Sequence, residues 1–207
     1  MIEPRWENHF DRGIVLLSGE GTKIQRGIGK GYVRVIHDYF KITKPDSKIE
    51  IVNRGVGGNR INDLKSRWDQ DILELNPDTV SISIGINDVW RQLDHPELEQ
   101  IYPDRFEAIY RHLLKQVKNH TNASLILMEP TIIEESLLSE GNKMLKPYVD
   151  IVNRLAEEYH AILVPTHQAF MKYLHTNSGY RLTTDGVHLN SAGNLLVAQQ
   201  WMKAVEN

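Results

Sequence analysis

Residues 183–193 read TTDGVHLNSAG and set Asp185 three residues before His188 in a short, glycine-containing turn. A carboxylate within reach of one imidazole nitrogen fixes the ring tautomer and leaves the other nitrogen to take up and release a proton. Such a pair is the base half of a hydrolytic centre. On its own, a DxxH string more often marks a turn in which an aspartate caps its own backbone beside a surface histidine. Its chemical meaning depends on what else reaches the same place.

Two other stretches carry groups of the right kind. Residues 53–60, NRGVGGNR, hold three glycines in four positions, which permits φ > 0 and lets a backbone N–H point at a ligand atom. Residues 85–90, GINDVW, place the amide of Asn87 and the carboxylate of Asp88 side by side. A side-chain amide can donate to a developing oxyanion, a contribution of about 2.7–4 kcal/mol to a transition state. Each stretch also has a plain reading, a tight turn shaped by glycine and an Asn-Asp turn.

These stretches need a scaffold that brings them together. Short apolar runs rich in β-branched residues recur at residues 14–17, 49–52, 80–84, 125–128 and 162–164, each of strand length. Between them lie segments with helical spacing. Phe106, Ile109, Tyr110, Leu113, Leu114 and Val117 form one such stripe, with Pro103 and Asp104 as start signals. This alternation predicts a doubly wound α/β fold, a five-stranded parallel sheet with helices on both faces. In such sheets the ligand crevice lies beyond the carboxyl ends of the strands, where the NRGVGGNR and GINDVW loops fall. A closing helix is expected to bear Leu195, Ala198, Trp201, Met202 and Val205 on one face, with Ser191 as its cap. The string IVNR recurs at residues 51–54 and 151–154, once at a strand end and once in a helical pattern, and is read as coincidence.

Composition narrows the partners. At 207 residues, 41% of them hydrophobic, the chain suits one domain over residues 1–207, and no Pro-, Gly- or Ser-rich linker divides it. The formal net charge of −3, with both signs interspersed, offers no basic stripe for nucleic acid and no polybasic membrane anchor. A small molecule or a glycan fits better as partner. The N-terminal stretch MIEPRWENHFDRG has no apolar run of signal-peptide length, so a cytoplasmic location is expected. With no cysteine there is no disulfide, thiolate metal site or cysteine nucleophile. No cofactor is expected.

Taken together, GVGGNR, GINDVW and DGVH resemble the three later blocks of the SGNH, or GDSL-type, hydrolase superfamily. The runs RWDQDIL at residues 67–73, SISIGINDVW at 81–90 and LILMEP at 125–130 are similar to the branch that holds carbohydrate acetylesterases and related acyl-ester hydrolases. The resemblance implies a flavodoxin-like sheet and hydrolysis of small acyl esters, acetylated carbohydrates among them. It assigns an oxyanion hole to Gly58 and Asn87 and an acid-steered base to Asp185 and His188.

The family's first block, G-D-S after the first strand, is absent. Aligning IVLL without a gap puts Ser18, Gly19 and Glu20 at its three positions, with Thr22 at a threonine that often follows. A shift of one residue puts Gly21 at the serine, and only a slide of two brings Ser18 there, which would shorten the turn after the strand. Where a triad works as a unit, loss of the nucleophile costs on the order of a million-fold in turnover. Two outcomes stay open. In one, Glu20 activates water with His188 as the acid, giving an unusual hydrolase. In the other, Glu20 is a recognition or structural carboxylate in a non-catalytic, ligand-binding relative.

Metal binding by Glu20, Asp185 and His188 is disfavoured, because the spacings of common metal sites are missing. Trp90 could stack on a sugar ring, or simply pack at the strand end. His120, His160 and His167 read as ordinary polar positions, and Arg60 and Arg67 as members of ion pairs on the first crossover helix. The acyl and leaving-group pockets are expected from the loops at residues 91–102 and 132–143.

Overall fold

A computed structural model describes residues 14–18 and 27–206. Five parallel strands form one sheet in the order β2-β1-β3-β4-β5: β1 (Ile14–Ser18), β2 (Ile51–Asn53), β3 (Thr79–Ser83), β4 (Ser124–Met128) and β5 (Ile162–Val164). The expected α/β architecture and its strand runs are therefore present, within a residue or two at each end. β1 lies between β2 and β3 and pairs with β3 from Ile14 opposite Thr79 to Ser18 opposite Ser83. The order of strands changes direction at β1 and β3, and in a sheet of this kind that is where a ligand crevice opens.

Strand side chains alternate between the two faces, so a sheet with both faces covered needs apolar residues at consecutive positions. β4 does this cleanly. Leu125 and Leu127 join one core, with α2 (Ile61–Ser66), α3 (Ile86–Asp94), α4 (Pro103–His120) and α5 (Glu140–Glu158). Ile126 and Met128 join the other, with α1 (Tyr32–Thr43), α6 (Thr166–Leu174) and α7 (Ser191–Glu206).

The helices follow their sequence signals. Pro103 opens α4, where its missing N–H costs nothing, and the predicted stripe from Phe106 to Val117 is buried except for the partly buried Ile109. In α1, Tyr32, Val33, Ile36 and Phe40 fall on one face and meet α7. Phe40 packs edge-on against Trp201, with ring centroids 6.2 Å apart. The Trp201 indole N–H reaches through to Ser81 Oγ in the central sheet (3.0 Å). This explains the buried serine in the middle of β3, since a buried indole needs an acceptor.

Two expectations for α7 are corrected. Leu195 is 57% exposed and Val197 is buried in its stead, while Ala198, Trp201 and Val205 are buried as expected and Met202 is partly buried against the same core. The cap is Asn190 rather than Ser191: its Oδ1 accepts from the N–H groups of Ala192 (2.9 Å) and Gly193 (3.0 Å). A cap must stand one residue before the helix to reach those donors, and Ser191 is already the first helical residue. The IVNR repeat is resolved as expected, one copy ending β2 and the other inside α5.

Candidate active site

The DGVH turn is a narrow loop held by its own backbone. Thr183 and Leu189 pair in an antiparallel bridge, the Thr184 N–H donates to the His188 carbonyl (2.8 Å), and the Asn190 N–H to the Leu182 carbonyl (3.0 Å). The loop joins α7 without slack. A Cβ added to Gly193 would stand 2.2 Å from the Leu182 carbonyl oxygen, so only glycine lets the first turn of α7 come this close.

Within the turn, Asp185 Oδ2 lies 2.7 Å from His188 Nδ1. Its Oδ1 accepts the N–H groups of Val187 (3.0 Å) and His188 (2.8 Å). Partial burial alone would raise this carboxyl, but the bonds from the His188 ring and from the two backbone donors outweigh it and hold it at about 2. An ionised carboxylate only accepts, so Nδ1 carries the proton and Nε2 of the neutral ring is the basic nitrogen. The side chains of His188 and Asp185 are 57% and 49% exposed, so water reaches the pair.

The GINDVW block follows β3 through a sharp turn. Gly85 has φ +115, in the left-handed region, and a Cβ there would meet the Phe106 ring at 3.2 Å. The turn starts α3 with Asn87 and Asp88 buried at its first turn. Asn87 Nδ2 donates to the Asn59 carbonyl (3.1 Å), which fixes the amide against the neighbouring loop. Both Asp88 oxygens accept the Ile61 N–H at the start of α2 (3.1 and 3.3 Å). Burial pushes the Asp88 carboxyl up to about 7, against the lowering effect of that bond and of nearby Arg60. Two adjacent residues of α3 therefore hold the backbone at Asn59 and Ile61.

The glycine loop behaves as its composition suggests. Asn53 Oδ1 accepts the Gly55 N–H (2.9 Å) and turns the chain out of β2. Gly58 has φ +81, is exposed, and has open space where a Cβ would stand. Arg67 braces this loop, a part that sequence reasoning missed. Its Nε donates to Asn59 Oδ1 (2.9 Å) and its Nη1 to the Arg54 carbonyl (2.7 Å), while it pairs with Asp71. The ion-pair expectation holds for Arg67. Arg60 instead donates to the Glu99 carbonyl (2.7 Å).

Trp90 ties two blocks together. It stands one turn beyond Asn87 on α3, and its ring meets the His188 imidazole edge to face, centroids 5.2 Å apart at 78°. The Arg91 guanidinium lies 4.7 Å from the Trp90 ring centre. Thus His188 packs on the helix whose first turn carries Asn87, and Asn87 is bonded to the residue after Gly58. Of the other histidines, His167 is buried with Nδ1 2.6 Å from the Thr131 carbonyl, whereas His120 is exposed and bonded within its own helix.

Glu20, with Gly19, Gly21 and Thr22, lies outside the described residues. Ser18 is by its backbone the last residue of β1, level with Ser83. Among the described residues no group of three or more His, Asp or Glu side chains is arranged to hold a metal ion, and no helix is long and apolar enough to cross a membrane.

Residues 19–196 match the model of the GDSL-like lipase/acylhydrolase family. An acetylxylan esterase from Geobacillus stearothermophilus is 35% identical over 197 residues, 94% of this chain and 89% of that protein. Its crystal structure superposes with a TM-score of 0.85 at 32% identity, over 95% of this chain and 94% of that one. Solved catalytic mutants of that esterase replace a serine, an aspartate or a histidine by alanine, the last two with the spacing that separates Asp185 from His188. An α/β hydrolase from the metagenome of Lake Arreo, Spain, gives a TM-score of 0.83 at 28% identity, over 94% of each chain. With strand order, loop blocks and relatives in agreement along nearly its whole length, the chain belongs to the GDSL-like lipase/acylhydrolase family of SGNH hydrolases.

Proposed function

We propose that the chain hydrolyses small acyl esters, with acetylated carbohydrates as the substrate class. The observation that carries this reading is the Asp185–His188 contact at 2.7 Å, in a turn that is open to solvent and packed against the helix bearing Asn87. The acetylxylan esterase relative supports the substrate class.

In this reading His188 Nε2 takes a proton from water as the water oxygen adds to the acyl carbon. The Gly58 N–H and the Asn87 amide donate to the oxyanion that forms. The carbon–oxygen bond to the sugar then breaks, and the proton passes from Nε2 to the departing sugar oxygen. Asp185 keeps the imidazole in the required tautomer and stabilises its cation. The ungapped alignment of the first strand puts Glu20 at the position of the family serine, so in this reading water supplies the attacking atom. Trp90 forms one wall for the sugar beside His188.

That same glutamate favours a second reading, a ligand-binding relative without turnover. Hydrolysis of a short-chain chromogenic ester and of acetylated xylo-oligosaccharides, by the native chain, His188→Ala and Glu20→Ser, separates the two. Turnover by the native chain that His188→Ala abolishes supports the hydrolase. Activity that appears only in Glu20→Ser supports the binding relative.

A further inference from the structure

The loop after β4 holds a carboxylate that the proposed chemistry does not use. Glu135 Oε1 accepts the N–H groups of Leu182 (3.1 Å) and Thr183 (2.8 Å) and the Thr183 hydroxyl, and Arg181 Nε lies 3.7 Å away. The Thr183 hydroxyl in turn accepts the Gly186 N–H (3.1 Å). On the other side of that residue, the Gly186 carbonyl accepts the Glu134 N–H (2.8 Å). Gly186 follows Asp185 directly, so both faces of the turn that presents the carboxylate are fastened to residues 134 and 135.

The anchor is rigid. Buried Asn142 accepts the Ile133 N–H at Oδ1 (2.9 Å) and donates through Nδ2 to the carbonyls of Glu134 (3.1 Å) and Ser136 (2.8 Å). Buried Ser139 donates to the Ile133 carbonyl (2.8 Å) and caps α5 by accepting the Asn142 N–H (3.1 Å). Glu134 has φ +66, a left-handed conformation that a non-glycine residue keeps only where its surroundings enforce it. A loop tied this firmly can set the place of a second loop.

We propose that Glu135 is a positioning residue for the Asp185–His188 pair, acting through Thr183 and Gly186. It rests on the reading of that pair as the site's base. Glu135 touches neither member. It fixes the turn from which Asp185 reaches Nδ1, so that its loss frees the turn and relaxes the tautomer of His188.

The test compares the full-length native chain with Glu135→Ala, Glu135→Gln and Thr183→Val, reading amide hydrogen exchange and imidazole ¹⁵N shifts. In Glu135→Ala, the Thr183 and Gly186 amides should exchange about tenfold faster, and neutral His188 should gain the Nε2–H tautomer. Glu135→Gln keeps an oxygen at the Oε1 position and should stay near the native chain on both readouts. Thr183→Val, close in shape, removes only the relay and should reproduce the tautomer change; it decides the matter if Glu135→Ala does not fold. An unchanged His188 tautomer in Thr183→Val, with native exchange at Gly186, overturns the proposal. Both readouts exist whether or not esters are cleaved, so absent hydrolysis would count against the proposed function and leave this inference standing.

Discussion

Asp88→Asn should raise stability in alkaline solution and not in acid. The carboxylate is fully buried at the start of α3, where it accepts the Ile61 N–H and its own backbone N–H. Burial lifts its folded-state value from 3.8 to about 7. A carboxyl raised on folding binds its proton more tightly in the native state, so the ionised form opposes folding. The cost is absent below the unfolded value, grows as pH rises from about 4 to about 7, and is complete above. A rise from 3.8 to about 7, at about 1.36 kcal/mol for each tenfold change in proton affinity, makes it roughly 4 kcal/mol. Asparagine keeps an oxygen for the Ile61 N–H but leaves an N–H₂ to satisfy, a fixed cost of about 1–3 kcal/mol independent of pH. The variant-minus-native difference in unfolding free energy should therefore rise by roughly 4 kcal/mol between about pH 4 and about pH 8. Urea unfolding followed by tryptophan fluorescence across that range measures it. A difference that stays flat, or falls as pH rises, refutes the argument, because it would mean that the helix N-terminus at Ile61 stabilises the anion enough to cancel its burial.

Gly193→Ala should cost at least about 2 kcal/mol in the same assay, since the new Cβ meets a backbone oxygen that cannot move without shifting the Asp–His turn. Urea unfolding with the native m-value and midpoint would contradict the close approach. Asn190→Ala removes two capping bonds and the one to the Arg181 carbonyl, and should lower unfolding free energy by about 1–2 kcal/mol. Ser191→Ala should change it by less than about 0.5 kcal/mol, and the reverse order would restore serine as the cap.

The strands and the α4 stripe were legible because their signals are local. Apolar runs at consecutive positions report burial on both faces, and a helix start needs only its own Pro103 and Asp104. The Asp–His contact was legible for the same reason, whereas the glycine run announced a positive φ without saying that Gly58, and not Gly55 or Gly57, adopts it. Where the buried stripe of α7 begins was not, because Leu195 and Val197 are both apolar and only the position of α1 and the sheet selects between them.

The sequence by itself determined the alternating α/β order and the three loop blocks. It could do so because chain order, residue type and short-range spacing are properties of the sequence alone. Only the tertiary structure decided how the blocks meet: Asn87 on the Asn59 carbonyl, Trp90 on His188, Arg67 across the glycine loop, and Glu135 under the Asp–His turn. Glu135 and Thr183 are far apart along the chain, and a glutamate in a loop carries no mark of its partner. Contacts of that kind arise from packing helices on a twisted sheet, so they depend on distances that no local pattern encodes.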